Sequence, residues 1–234
     1  MKEQNEKIIY LRDVAKYYIM GDEIVKALDG INIEIRKGDF IAIMGPSGSG
    51  KSTTMHLIGS LDSPTKGEIF LDGYNTANLQ ESELAQIRGK KIGFIFQQFN
   101  LISNLTAKEN VMLPMLFQGK NSYEREEKAK ELLKLVELEG RENHYPNQLS
   151  GGEQQRIAIA RALANDPEVI LADEPTGNLD TKRGQIIMDF LKKLNKEGKT
   201  IILVTHDPNL AKEYASTIYQ IRDGKIENII KKKK

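Results

Sequence analysis

Gly45-Pro46-Ser47-Gly48-Ser49-Gly50-Lys51-Ser52 is the stretch on which the reading of this chain turns. It satisfies G-x-x-x-x-G-K-[ST] in full. Glycines let the backbone curl so that successive N–H groups face phosphate oxygens. The helix expected to begin near Lys51 and run from Thr53 to Leu61 adds its positive end. Lys51 supplies a full charge to the β- and γ-phosphates, and Ser52 offers a hydroxyl to Mg²⁺. A chance match in a chain of this length is roughly a one-in-a-hundred event. The context supports it, because Phe40-Ile41-Ala42-Ile43-Met44 just before the loop is a continuous apolar run, as in a central strand buried on both faces.

Working outward, Ile8 to Val14 reads as a strand, and Ile31-Asn32-Ile33-Glu34-Ile35 alternates as a half-buried strand does. Gly67 to Leu71 is a further strand, ending at the turn signal Asp72-Gly73. From about Leu101 to Asn147 the pattern becomes helical, with Ala129, Leu132, Leu133 and Val136 on one stripe and Glu126, Lys130 and Lys134 between them. From about Gln154 helix and strand alternate, which predicts an α/β sheet. Val169 to Ala172 and Thr200 to Val204 read as buried parallel strands, and the helix between them carries Ile186, Ile187, Phe190, Leu191 and Leu194 on one stripe. Tyr219 to Arg222, Asp223-Gly224 and Lys225 to Ile230 read as a closing hairpin.

Two further segments carry chemistry. The strand Val169 to Ala172 runs into Asp173-Glu174, and nucleotide sites in such sheets lie beyond the carboxyl ends of the strands. Asp173 is placed to hold Mg²⁺. Glu174 points differently, because side chains alternate along a strand, and could polarise an attacking water. Leu149-Ser150-Gly151-Gly152-Glu153 precedes an Ala/Ile-rich helix, and Ser150 with Glu153 fits a capping box. A cap does not ask for two glycines, each of which weakens a helical turn by roughly 0.5–1 kcal/mol. They make sense where an anion must approach the N–H groups, so this segment is expected both to cap its helix and to bind phosphate.

Composition excludes several classes. Lys+Arg is 34 and Asp+Glu 33, a net charge of +1, which argues against a dedicated nucleic-acid binder. The absence of cysteine excludes disulfide scaffolds, thiolate metal sites and thiol catalysis. His56, His144 and His206 are too scattered for a metal cluster. No apolar run approaches the about 18 residues of a membrane span, and Met1 to Lys7 lacks a signal-peptide core. A cytosolic protein is expected, with any membrane role exercised through a partner. Lys231 to Lys234 reads as a solvated end, with attraction to anionic lipid of about 1 kcal/mol per Lys as the alternative.

These motifs, in this order, resemble the ATP-binding subunits of ABC transporters. Leu149 to Glu153 is similar to the family signature, with Glu153 where the commonest form has Gln. Gln97 in Phe94-Ile95-Phe96-Gln97-Gln98 resembles the Q-loop glutamine, Gly177-Asn178-Leu179-Asp180 the D-loop, and His206 the switch histidine. Tyr18, with Tyr17 beside it, is similar in position to the aromatic that stacks on adenine. The resemblance spans residues 8 to 228. Phe96 to Leu101, Leu105 to Val111 and Gly59 to Thr65 resemble the lipoprotein-release and macrolide-export (LolD/MacB-type) group, whose members also serve peptide resistance and cell-division regulation.

The resemblance implies a P-loop (RecA-like) α/β core with an N-terminal antiparallel β subdomain and an inserted helical subdomain. Residues 8–96 and 156–228 would form the β subdomain and core, and 97–155 the helical subdomain, within one cassette spanning 1–234. It implies hydrolysis of ATP to ADP and phosphate with Mg²⁺. Gly45 to Thr53 would bind nucleotide, Ser52, Gln97 and Asp173 the metal, and Lys51, Glu174, His206 and Gln97 would act in catalysis. It also implies a head-to-tail, ATP-dependent homodimer in which Ser150, Gly151, Gly152, Glu153 and Asp180 complete the nucleotide sites, Ser150 and Gly152 acting in trans. A separate integral-membrane permease would hold the pair at the cytoplasmic face of the membrane. The competing reading is a regulatory ATPase of cell-division or cell-wall remodelling without transport. Repair clamps would need a long inserted coiled coil, tandem translation factors a second such domain, and a plain P-loop kinase no Leu149 to Glu153.

Overall fold

Alternation of apolar and polar side chains, interrupted by bulges, shapes the start of the chain, where a long hairpin joins β1 (Lys7–Met20) to β2 (Glu23–Arg36). The computed structural model describes residues 7–21 and 23–232, so the expectations for Met1 to Glu6 and for Lys233 and Lys234 lie outside the described residues. Two compact units are present. One runs through Leu84 and resumes at Leu194, and the other is Ala85–Lys193. In chain order the first unit continues with β3 (Phe40–Met44), α1 (Lys51–Ile58), β4 (Lys66–Leu71) and β5 (Tyr74–Asn75). Next comes α2 (Glu81–Lys91), then β6 (Ile92–Ile95), α3 (Ala107–Phe117), α4 (Ser122–Leu135), α5 (Gly151–Ala162), β7 (Val169–Asp173) and α6 (Thr181–Lys196). The chain closes with β8 (Thr200–Thr205), α7 (Pro208–Tyr214), β9 (Thr217–Arg222) and β10 (Lys225–Lys231).

In the first unit one sheet has the order β2-β1-β4-β5, with antiparallel pairing throughout. Ile31, Ile33 and Ile35 are buried and Asn32 is exposed, as their alternation requires. β1 is longer than its alternation indicates because register shifts between Leu11 and Tyr17 reset the period. At the bulge Asp13 takes φ 48°, its N–H donates to Asn32 Oδ1, and a Cβ on Gly67 would lie 2.3 Å from the Asp13 carbonyl oxygen. Only glycine admits that crossing of β1 and β4. A second set of strands runs β10-β9-β3-β8, with β3 parallel to both β8 and β9. Ile41, Ala42 and Ile43 are fully buried, as the apolar run predicts. Two of the two-residue turns, Asp72-Gly73 and Asp223-Gly224, hold positive φ at each position, the conformation that suits tight hairpins.

The second unit pairs β6 with β7 in parallel and packs α3, α4 and α5. Each of these helices starts in a capping box, from Thr106 to Glu109, Asn121 to Glu124 and Ser150 to Glu153. Ala129, Leu132, Leu133 and Val136 are buried, as their spacing predicts. The stripe on α6 is corrected: Ile187, Met188, Leu191 and Leu194 face inward, whereas Ile186 is half exposed and Phe190 lies at the margin. One buried polar residue organises the segment before α3. Asn110 Oδ1 accepts from Ile102 N–H at 2.8 Å, and its amide donates to the carbonyls of Ile102, Leu105 and Thr106.

Asn110→Ala removes these bonds and leaves a loop N–H without its acceptor, which should cost about 1–3 kcal/mol. Urea unfolding at unchanged m value should show a lower midpoint. A midpoint equal to the parent's would mean that the loop is held by other contacts.

Candidate functional site: a glycine-bound helix start

The first unit carries the phosphate loop. β3 delivers the chain to Met44, and residues 45–50 turn into α1. Gly50 caps α1 with φ 104° and makes no side-chain cap bond, so the first-turn N–H groups of the helix are not met by a capping side chain. Such an end attracts anions through its dipole and its donors. The glycines are demanded locally. A Cβ on Gly45 would lie 2.1 Å from the Ile221 carbonyl oxygen, and one on Gly50 2.6 Å from that of Ala27. Lys51 is buried to within 9% of its surface and donates from Nζ to the Pro46 carbonyl at 2.7 Å, which folds the ammonium back across the loop. Ser49 Oγ is buried and has no hydrogen-bond partner. Pro46, Ser47, Gly48 and Ser52 are exposed, and a cavity of ≈ 390 Å³ opens over Gly48, Gly50, Lys51, Ser52 and Thr53. These features fit a polyphosphate.

The turn of the closing hairpin braces the loop. Gly224 N–H donates to the Ser49 carbonyl at 3.0 Å, and the Gly224 carbonyl accepts from Asp29 N–H at 2.9 Å. Sequence reading missed this role, because nothing near residue 224 refers to residue 49. His206, exposed after β8, lines a second recess of ≈ 190 Å³ with Gly45, Pro46 and Gln220. The two neighbouring tyrosines separate by their partners. Tyr17 Oη donates to Asp29 Oδ1 at 2.7 Å, and Tyr18 Oη to Asp62 Oδ2 at 3.0 Å. The Asp29 hydrogen bond raises the Tyr17 pKa, and burial followed by the Asp62 bond raises that of Tyr18.

The second unit carries the remaining expected residues. β7 ends at Asp173, and Glu174 then adopts φ 42°, a left-handed conformation rare outside glycine and associated with functional turns. Buried Gln155 of α5 donates to the Pro175 carbonyl at 2.8 Å and fixes that turn, another partner not legible in the sequence. Gln97 meets the segment after it. Asn178 Nδ2 donates to the Gln97 carbonyl at 2.8 Å, and a Cβ on Gly177 would lie 2.9 Å from Gln97 Nε2. Asp180 accepts from Arg183 N–H at 2.9 Å and so starts α6.

Ser150 and Glu153 form the expected reciprocal cap. Ser150 Oγ donates to Glu153 Oε2 at 2.7 Å, the same carboxylate accepts Ser150 N–H at 2.8 Å, and Glu153 N–H donates back to Oγ. The Ser150 hydrogen bonds, backbone first, hold the Glu153 carboxyl below its ordinary value, with Arg141 adding to them. Neither glycine between them takes positive φ. A Cβ on Gly151 would meet only Phe99, at an ordinary 3.6 Å. Packing therefore does not require glycine at 151. Among the described residues no three His, Asp or Glu side chains gather into a metal site.

A strand, a glycine loop and a bare helix start define a P-loop nucleotide-binding fold. The family model "ABC transporter" matches residues 28–177. The ABC transporter ATP-binding protein MJ0796 of Methanocaldococcus jannaschii is 56% identical over 225 residues, covering 94% of this chain and 95% of that one. A dimeric structure of MJ0796 in a post-hydrolysis state, bound to ADP and phosphate, superposes with a TM-score of 0.90 over 97% of this chain and 99% of that one, at 52% identity. The macrolide export ATP-binding/permease protein MacB of Mannheimia succiniciproducens is 50% identical over 219 residues, which are 94% of this chain and 34% of MacB. The chain belongs to the ABC transporter family. It is an ATP-binding, ATP-hydrolysing cassette of that family.

Gly224→Ala forces a side chain into positive φ, with its Cβ 2.8 Å from the Ala27 carbonyl oxygen. The left-handed conformation alone should cost about 1–2 kcal/mol. A lower melting temperature and weaker ADP binding by calorimetry are expected. Parent values for both would show that the loop stands without its brace.

Proposed function

We propose that this cassette works as an ATP-dependent homodimer that drives a separate integral-membrane permease from the cytoplasmic face of the membrane. The observation that carries the reading is the glycine-started, uncapped N-terminus of α1 with Lys51 buried beside it. The dimeric MJ0796 structures support the homodimer, and MacB, named as an ATP-binding/permease protein, supports the permease. No helix among the described residues is long and apolar enough to cross a membrane. We assign residues 97–155 to the subdomain that meets the permease, and 8–96 with 156–228 to the β subdomain and core.

In this reading Gly45 to Thr53 bind the phosphates, Lys51 neutralises charge on them, and Tyr18 stacks on adenine. Ser52, Gln97 and Asp173 would hold Mg²⁺, which supplies charge neutralisation at the phosphates. Water attacks the γ-phosphorus, its proton passes to Glu174, and the bond to the bridging oxygen of ADP breaks. His206 contacts the γ-phosphate and helps to place the water. Ser150, Gly151, Gly152, Glu153 and Asp180 complete the site of the opposite chain. The left-handed backbone at Glu174 supports its role, since it fixes the carboxylate at a strained turn.

Lys51→Ala should weaken MgATP binding and abolish turnover with the fold intact by circular dichroism. Glu174→Gln should lower turnover by about 10²–10⁴-fold and still bind ATP. It should accumulate as a dimer in size-exclusion chromatography with ATP. Hydrolysis at the parent rate by Glu174→Gln would place the base elsewhere, and a monomer with ATP bound would remove the dimer.

A further inference from the structure

The aromatic ring near the end of β1 is held by a charged brace. Tyr18 Oη donates to Asp62 Oδ2, while Asp62 Oδ1 accepts from Lys16 Nζ at 2.6 Å and from Ser63 N–H at 2.8 Å. Lys16 Nζ also donates to the Ser63 carbonyl at 2.9 Å and stands 5.1 Å from the centre of the Tyr18 ring. The hydroxyl is thus tied to the loop after α1. The Lys16–Asp62 pair is largely withdrawn from solvent, with side chains 14% and 29% exposed, so it is less screened than a surface pair. Burial works against the Asp62 carboxylate, yet the bonds from Lys16, Ser63 and Tyr18 outweigh it and hold its pKa below the ordinary value. The Asp62 carboxylate is therefore ionised at neutral pH.

We propose that Asp62, held by Lys16, is a positioning residue that fixes the Tyr18 ring for stacking on the nucleotide base. The inference rests on the reading of Tyr18 as the stacking residue. Tyr18 is 38% exposed while the polar atom of its side chain is tied down, so it presents surface without rotating freely. A ring fixed before binding does not lose its rotamer freedom when the base arrives. Asp62 does not touch the phosphates in this scheme, so its removal weakens base binding and leaves the chemical step alone.

The test compares ATP with tripolyphosphate, which carries phosphates and no base, by calorimetry on Asp62→Ala, Lys16→Met, Tyr18→Ala and the Asp62→Ala/Tyr18→Ala pair. Releasing one side chain corresponds to roughly a 2- to 12-fold loss, and losing the stack to roughly 5- to 150-fold. Asp62→Ala and Lys16→Met should raise KM and Kd for ATP within the first range, with kcat within about twofold of the parent. Tripolyphosphate affinity should not change, and the double variant should bind ATP no more weakly than Tyr18→Ala. Parent-like ATP affinity in Asp62→Ala, equal losses for ATP and tripolyphosphate, or a further loss in the double variant would overturn the proposal. If Asp62→Ala does not fold, Lys16→Met decides by the same measurements. Parent-like ATP affinity in Tyr18→Ala would instead overturn the stacking reading itself.

Discussion

The bare amino end of α1 is the constraint from which the rest of the first unit follows. A helix start normally finds a Ser, Thr, Asp or Asn to accept its first N–H groups. Here Gly50 offers no side-chain acceptor, and the donors remain for an anion. Keeping that end bare without loosening it requires support from elsewhere in the chain. It comes from close backbone packing: Gly45 against Ile221, Gly50 against Ala27, and the Gly224 turn bonded to Ser49 and Asp29. Each contact is too tight for a side chain. The glycines are thus as much packing residues as conformational ones, and the loop is held by strands that lie far from it in sequence.

The second unit solves a related problem at Glu174. A non-glycine residue at φ 42° persists only when its surroundings fix it. Pro175, directly after Glu174, has its own φ fixed by its ring, and Gln155 donates to its carbonyl from a fully buried position. Asn178 then ties the same loop to the Gln97 backbone. In the role proposed for Glu174, a carboxylate aimed in advance is an advantage, since a misplaced base loses much of its rate advantage.

Much of this was legible in the sequence because the decisive signals are local. Phe40–Met44 is a buried strand at the residues where its apolar run lies, and the Asp-Gly pairs mark two tight hairpin turns. The capping box at Ser150 and Glu153 forms as its spacing requires. What escaped was weakly periodic or long-range. α2 buries only Leu84, and α7 only Ala211 and Tyr214, so neither shows a stripe. The far end of β1 stays strand through backbone pairing with β2 although Tyr18, Ile19 and Met20 are exposed, which defeats any test of alternation. Gln155, Gly224 and Asp62 act on partners many residues away. No window of sequence contains both halves of such an interaction.

The two glycine-bearing helix starts differ in a way that their sequences conceal. That of α1 has no capping side chain, so an anion meets donors without displacing one. That of α5 is fully capped, and Ser150 Oγ donates to the Glu153 carboxylate at 2.7 Å. A hydroxyl-to-carboxylate bond is charge-assisted and among the stronger neutral-donor bonds. For Ser150 to donate to a phosphate, that bond must first be given up, and the Glu153 charge opposes a second anion at the same helix end. A glutamine in place of Glu153 would carry no such charge. An anion arriving at α1 displaces no side-chain bond, whereas one arriving at α5 must exchange with a charge-assisted cap.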